Sequence, residues 1–201
     1  MKILSFLVSL LLFWRKKKSV VPVVRLSGVI SATPSLRRGL SLESIEPQLK
    51  KAFSVRSARA VALIINSPGG SPVQSALIGQ RIRDLAGKAD VPVLAFCEDV
   101  AASGGYWIAA SADEIYANGA SIIGSIGVVS AGFGFDRAIE KIGVDRRVQT
   151  AGRNKMILDP FQPQREEDVE RLRELQMDIH QQFINHLLDR RGSRLQEPHG
   201  D

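Results

Sequence analysis

The chain has 201 residues, 44% of them hydrophobic and 24% charged, the composition of an ordinary globular domain with one substantial core. Its formal net charge of +6 sits at one end: five of the 27 basic side chains, Lys2, Arg15, Lys16, Lys17 and Lys18, fall in the first 18 residues with no acid among them, leaving 22 against 21 acidic ones. So neutral a body speaks against a nucleic-acid surface, and the single cysteine, Cys97, excludes an intramolecular disulfide and a cysteine-clustered metal site.

The first predicted element is "ILSFLVSLLLFW", Ile3 to Trp14. As a helix its 12 residues extend about 18 Å against a hydrocarbon core of about 30 Å, too short to span comfortably. One lysine precedes it and "RKKK" follows, a charge asymmetry opposite to that of a secretory signal, and no small-residue cleavage site comes after. Residues 1–19 are therefore expected to form a membrane-proximal arm that holds the body on the basic, cytoplasmic side. A short uncleaved span with the body outside is the alternative.

"VVPVVRL" from Val20, "AVALIIN" from Ala60 and "VPVLAFCE" from Val91 are β-branched runs of strand length. Cys97 is expected as a packed thiol in the third. Between them run helical patterns at Leu42 to Phe53 and at Val73 to Leu85, with Val73, Leu77, Ile78, Ile82 and Leu85 on one face. Alternating strand and helix predicts an α/β fold with mostly parallel pairing and helices packed on the sheet. The special residues then gather at the strands' carboxyl ends, where open α/β sheets place ligands.

Two such turns stand out. In "INSPGGSP" the glycines Gly69 and Gly70 serve a tight turn, or let backbone N–H groups point at a developing oxyanion. No lysine follows as a phosphate loop demands. In "CEDVAASGGYWIAAS" two readings of Ser103 stand: a helix N-cap, or a nucleophile whose small neighbours admit a substrate carbonyl and an oxyanion donor. The stretch alone favours the cap.

Beyond Ser111, the glycines of "NGASIIGSIGVVSAGFGF" punctuate a β-rich connection, followed by a short helix from Asp136 and a strand predicted at Asp145 to Thr150. A loop, "AGRNKMILDPFQPQ", precedes the longest helical pattern, with Val169, Leu172, Leu175, Ile179, Phe183 and Leu187 at three- and four-residue steps. Residues 193–201 read as a polar tail.

A serine nucleophile needs a base. His180 and His186 lie in the last helix and His199 in the tail; nothing favours a triad, and histidines six apart on a helix do not share a face as metal ligands would. A lysine serves if burial makes its neutral amine accessible. Lys155, followed by Met156, Ile157 and Leu158, has an apolar flank able to withhold water; a solvated loop lysine is the competing reading.

Together "INSPGGSP", "EDVAASGGYWIAASADEIYA", "GSIGVVS" and "AGRNKMILDPF", in this order, resemble the signal peptide peptidase A group of serine peptidases, the S49 family. The resemblance covers roughly residues 20–191 and implies one peptidase domain over 20–192 with a ClpP/crotonase-like α/β fold and a long C-terminal helix. It implies a serine–lysine dyad, with Ser103 as nucleophile and Lys155 as general base. Gly69 or Gly70 together with the Gly104 N–H would form the oxyanion hole, and Ser125 would orient the lysine amine. No cofactor or metal is implied. The expected partners are peptide substrates such as signal-peptide remnants, the membrane surface through the N-terminal arm, and further copies of the chain, with the lysine able to reach a neighbouring subunit's serine. A bacterial inner-membrane location follows from the same resemblance. Family members usually continue past the long helix, so the domain reads as truncated.

"INSPGG" also resembles the caseinolytic protease ClpP, but that family needs a histidine shortly after its serine, and the 76 residues after Ser103 contain none. A crotonase-like acyl-CoA enzyme remains the enzymatic alternative, although no glutamate pair sits at the corresponding loops. A catalytically silent membrane-associated scaffold of the same fold is the third reading.

Overall fold

The computed structural model describes residues 19–32, 39–152 and 154–195. The expected N-terminal arm and most of the polar tail lie outside them, and among the described residues no helix is long and apolar enough to cross a membrane. The chain forms two compact units, Met1–Ser125 with Asp189–Asp201, and Ile126–Leu188.

In the first unit the elements run β1 (Val23–Ser27), α1 (Leu42–Phe53), β2 (Val61–Ser67), α2 (Pro72–Ala89), β3 (Val93–Ala102), α3 (Gly104–Ala110), β4 (Glu114–Ala117) and β5 (Ile122–Gly124). The strands form one parallel sheet in the order β1-β2-β3-β4, with β5 pairing the far end of β3. The mostly parallel α/β sheet with flanking helices expected from the alternating pattern is borne out. Period-2 side chains bury Val24 and Leu26, Val61, Leu63 and Ile65, and Val93, Ala95 and Cys97 on one face. Ile45, Leu49, Phe53, Ile78, Ile82 and Ile108 from the helices join the same core. Cys97 is the packed strand thiol expected, and burial pushes its pKa up. On the opposite face Phe96 stacks on Tyr116 with centroids 5.0 Å apart.

Local chemistry explains the helix starts. Ser41 caps α1 in a reciprocal box with Ser44, and Ser71 caps α2 ahead of Pro72, whose fixed φ suits a first helical position. The two helices are tied by a bidentate Arg81–Glu46 pair with a shortest contact of 2.6 Å, and Lys50 adds a 3.0 Å contact to the same carboxylate. Hydrogen bonds from Arg81 and then Lys50 hold the Glu46 carboxyl at about 2, against an ordinary 4.5. A depressed folded value means the stabilisation is complete above the unfolded pKa and is lost as pH falls through the folded one. Glu46→Gln is therefore expected to lower the Tm at pH 7, and the deficit should shrink steadily between pH 4.5 and about 2. A deficit unchanged over that range would show that charge is not its source.

Three expectations are corrected. The buried stripe of α2 is Ser75, Ile78, Gly79, Ile82 and Ala86, while Val73 and Leu77 are exposed. Close approach decides this face: a Cβ at Gly79 would lie 2.5 Å from the Ser111 Oγ and 3.3 Å from the Trp107 ring, so the small residues must face α3. Next, β3 does not stop at Glu98 but continues to Ala102. The β2–β3 register shifts after Ile65, and there the Asn66 side chain accepts the Val100 N–H at 3.3 Å and donates to Asp99 at 2.9 Å. Finally, residues 145–150 form no strand. In the second unit Arg146 pairs with the buried Asp159 carboxylate at 3.0 Å and lies over the Phe161 ring at 4.8 Å, which takes the segment out of any ladder.

That second unit contains α4 (Asp136–Lys141) and most of the long helix α5 (Glu166–Arg191). The long C-terminal helix is present as expected, with Phe183 and Leu187 buried, whereas Leu175 of the predicted stripe is half exposed. From Asp189 the chain belongs to the first unit again. There Arg83 and Arg190 reach the Asp113 carboxylate, and Arg191 and Arg194 donate to the Asp113 carbonyl. Cations thus gather on the carbonyl end of α3, where the helix dipole favours them.

Candidate active site

β3 delivers Ser103 directly into α3. Its backbone stands at φ 51°, ψ −122°, a region where a non-glycine residue costs about 1–3 kcal/mol. Three contacts hold it there. The Ser103 N–H donates to the Gly124 carbonyl at 2.7 Å, its carbonyl accepts from Trp107 at 3.0 Å, and Ala102 pairs with Gly124 in the β3–β5 ladder. Ser103 occupies the N-cap position of α3, yet its side chain makes no capping hydrogen bond. The capping role favoured by the stretch alone is therefore not what the residue does.

Glycines are needed on both sides. A Cβ at Gly69 would lie 2.8 Å from the Ala102 carbonyl oxygen, the Gly104 nitrogen and the Ser103 Cβ, so the glycine turn after β2 packs directly on the serine turn. One at Gly104 would run into the Ser75 hydroxyl, and one at Gly105 would lie 2.5 Å from the Ser67 carbonyl. The Gly69 N–H is taken: it donates to the Ser67 Oγ at 3.2 Å. The Gly69 carbonyl accepts the Ile30 N–H at 2.8 Å. Since a trans peptide points its carbonyl and N–H in opposite directions, the Gly70 N–H leaves on the side away from Ile30. Among the described residues no loop or turn carbonyl accepts the N–H of Gly70 or of Gly104. Gly70 is also solvent-exposed, and Gly104 is buried beside the serine.

Ser125 follows Gly124 directly, so the bond from Ser103 to the Gly124 carbonyl brings it to the same turn; it is exposed and held at φ 55°. The first unit thus gathers Ser103, Gly69, Gly70, Gly104 and Ser125. Lys155 belongs to the second unit and lies on an exposed loop, its N–H donating to the Gly152 carbonyl at 3.3 Å. Three residues on, Leu158 sits at φ 52° with its N–H on the buried Asp168 carboxylate at 3.3 Å. Arg165 donates to both oxygens of that carboxylate, at 2.7 and 3.0 Å. The loop is therefore fastened just beyond the lysine rather than along its whole length.

His180 and His186 are half-buried on α5, and His199 lies outside the described residues. Among the described residues no cluster of histidine, cysteine and carboxylate side chains could hold a metal ion. A cavity of about 600 Å³ opens between α1 and α2, lined by Leu42, Glu46, Gln74, Leu77 and Arg81. It does not include Ser103.

Ser67 and Asn66 escaped the sequence reading. Both stand inside the "INSPGG" motif, but only the register shift and the three-way packing of β1, the glycine turn and α3 give their side chains work.

The chain is similar to several known proteins. Over 183 residues, 90% of this chain and 25% of the other, it is 56% identical to a protein named Na(+)/H(+) antiporter NhaA from Brucella melitensis. It is 34% identical over 160 residues, 75% of this chain and 23% of the other, to the chloroplastic serine protease SPPA of Arabidopsis thaliana. Protease 4 of Haemophilus influenzae is 40% identical over 124 residues, 62% of this chain and 20% of its own. The chain spans a quarter or less of the length of these relatives. The family model for peptidase family S49 matches residues 86–197, more than half of the sequence and the stretch that holds Ser103, Ser125 and Lys155, and this chain belongs to that family.

Proposed function

We propose that the chain is a serine peptidase that cleaves apolar peptides at a membrane surface, with Ser103 and Lys155 as its dyad. The observation that carries this reading is the serine at φ 51° between β3 and α3, without a capping bond and packed against a two-glycine turn. Backbone strain at a residue that gains nothing locally from it points to function.

In the proposed reaction the neutral Lys155 amine takes the Ser103 hydroxyl proton as Oγ attacks the peptide carbonyl. The Gly70 and Gly104 N–H groups receive the oxyanion; each such donor typically contributes about 3 kcal/mol. Gly69 is set aside because its N–H is already engaged by Ser67. Collapse of the tetrahedral intermediate breaks the C–N bond, and the lysine ammonium returns its proton to the leaving amine. Water then hydrolyses the acyl-serine ester by the same two proton transfers. Ser125 orients the amine.

The apolar, basic-flanked segment Ile3 to Lys18 is the proposed tether to the membrane, where apolar peptides such as signal-peptide remnants accumulate. The Brucella relative carries the name of an antiporter, which fits a membrane setting. Further copies of the chain are proposed partners, and 126–188 carries the exposed apolar side chains Val129, Phe133 and Ile142 that such contacts would cover.

The test is to offer the purified chain, on vesicles, an internally quenched apolar peptide and, separately, an acyl-CoA. Cleavage at internal amide bonds with an inert thioester is expected. Turnover of the acyl-CoA alone would replace this reading with a crotonase-like one.

A further inference from the structure

We propose that Ser67 is the positioning residue of the oxyanion turn, a role that rests on reading Ser103 as the nucleophile. Ser67 is fully buried, and a hydroxyl is costly to bury unless it is hydrogen-bonded. Both of its capacities are used across elements: it donates to the Gly28 carbonyl just past β1 at 2.7 Å and accepts the Gly69 N–H at 3.2 Å. Its carbonyl and Cβ also form the wall against which Gly105, the second residue of α3, is packed. One side chain thus ties the end of β1 to the glycine turn while its own backbone supports the helix that starts at Ser103.

The consequence falls on the next peptide. Gly69 and Gly70 stand at φ +96° and +143°, and a pair of glycines has no side chain to keep such a turn in one state. Among the described residues two bonds to fixed partners hold Gly69: its N–H on Ser67 Oγ, and its carbonyl on the Ile30 N–H. The carbonyl bond holds the Gly69–Gly70 peptide itself, and the Gly69 N–H bond holds the preceding Pro68–Gly69 peptide. Beyond Gly70 the Ser71 N–H donates to the Ile30 carbonyl at 2.8 Å, so that Gly69 is fixed from both sides and the Gly70 N–H is aimed. Removing the hydroxyl frees the Pro68–Gly69 peptide and leaves the turn held by its Ile30 bonds alone. A donor that must meet charge developing only in the transition state is sensitive to such loosening, whereas ground-state peptide binding is not.

The experiment compares wild type, Ser67→Ala, Ser67→Cys and Ser103→Ala on one apolar fluorogenic peptide, with kcat, KM, fluorophosphonate labelling rate and Tm measured for each. Ser67→Ala is expected to lower kcat about tenfold or more while KM stays within about twofold, with the labelling rate falling in parallel. Ser67→Cys, similar in size but a weaker hydrogen-bonding group, should fall between. A wild-type kcat in folded Ser67→Ala, or a change confined to KM, overturns the proposal. If Ser67→Ala does not fold, Ser67→Cys decides, and a wild-type kcat there overturns it equally. Undiminished turnover by Ser103→Ala is a different failure, that of the nucleophile reading, and takes the positioning role with it.

Discussion

Ser103→Ala is expected to lose at least about 10⁴-fold in peptide turnover and all labelling by a fluorophosphonate, with a Tm within about a degree of wild type. The stability half of that expectation separates two roles that predict opposite outcomes. A serine acting as helix cap costs about 1 kcal/mol when replaced by alanine, or roughly 2–4 °C in a protein of this size, and leaves chemistry untouched. Ser103 makes no such bond, so alanine gives up nothing there and merely inherits the strained backbone held by Gly124, Trp107 and the β3–β5 ladder. A catalytic serine therefore loses activity without losing stability. Equal labelling of wild type and variant, together with a lowered Tm, would return Ser103 to capping.

The strands were legible because burial on one face selects β-branched residues at alternate positions, as in Leu63 and Ile65 of β2. The limits of α1 were legible for a related reason: Ser41 and the apolar spacing to Phe53 state them locally. Where the reading failed, the deciding partner lay far along the chain. Hydrophobic periodicity put Val73 and Leu77 on the core face of α2, but that face is set by how near Ser111 and Trp107 come to Gly79, a contact about thirty residues away that favours the smallest side chain rather than the most apolar one. The extension of β3 likewise depends on Asn66 bridging a register shift. No pattern within "EDVAAS" contains that information.

The site divides along the same line. Ser103, Gly69, Gly70 and Gly104 announce themselves because small residues clustered around a hydroxyl are uncommon outside turns that need them. Which glycine N–H is open to a ligand could not be read from the motif, since Gly69 and Gly70 are chemically identical until the Ser67 hydroxyl claims one of them. Ser125 became informative once Gly124 was seen to accept the Ser103 N–H. Lys155 rests on the motif alone, since the flank expected to withhold water leaves both Lys155 and Met156 exposed, which makes its substitution the sharpest test of the proposed chemistry.

Lys155→Arg is expected to cost about 10³-fold or more in kcat/KM, toward the upper part of the range for loss of a general base. The two side chains have similar length and the same charge, position 155 is exposed, and among the described residues only its backbone N–H is hydrogen-bonded, so the Tm should not move. What changes is the proton. A guanidinium keeps its proton throughout the usable pH range and has no lone pair to offer, whereas a lysine amine can accept the Ser103 proton once it is neutral. Wild-type kcat/KM should accordingly rise with pH as the neutral amine becomes more populated, and that limb should vanish in Lys155→Arg. Lys155→His, which keeps an acceptor nitrogen on a shorter side chain, should retain a trace of turnover with its rise moved toward the imidazole range near 6.5. Ser125→Ala removes an orienting bond but no reacting group, so it should slow turnover by about tenfold, well short of the loss in Lys155→Arg. A folded Lys155→Arg chain with wild-type turnover and an unchanged pH profile would show that Ser103 takes its base from elsewhere.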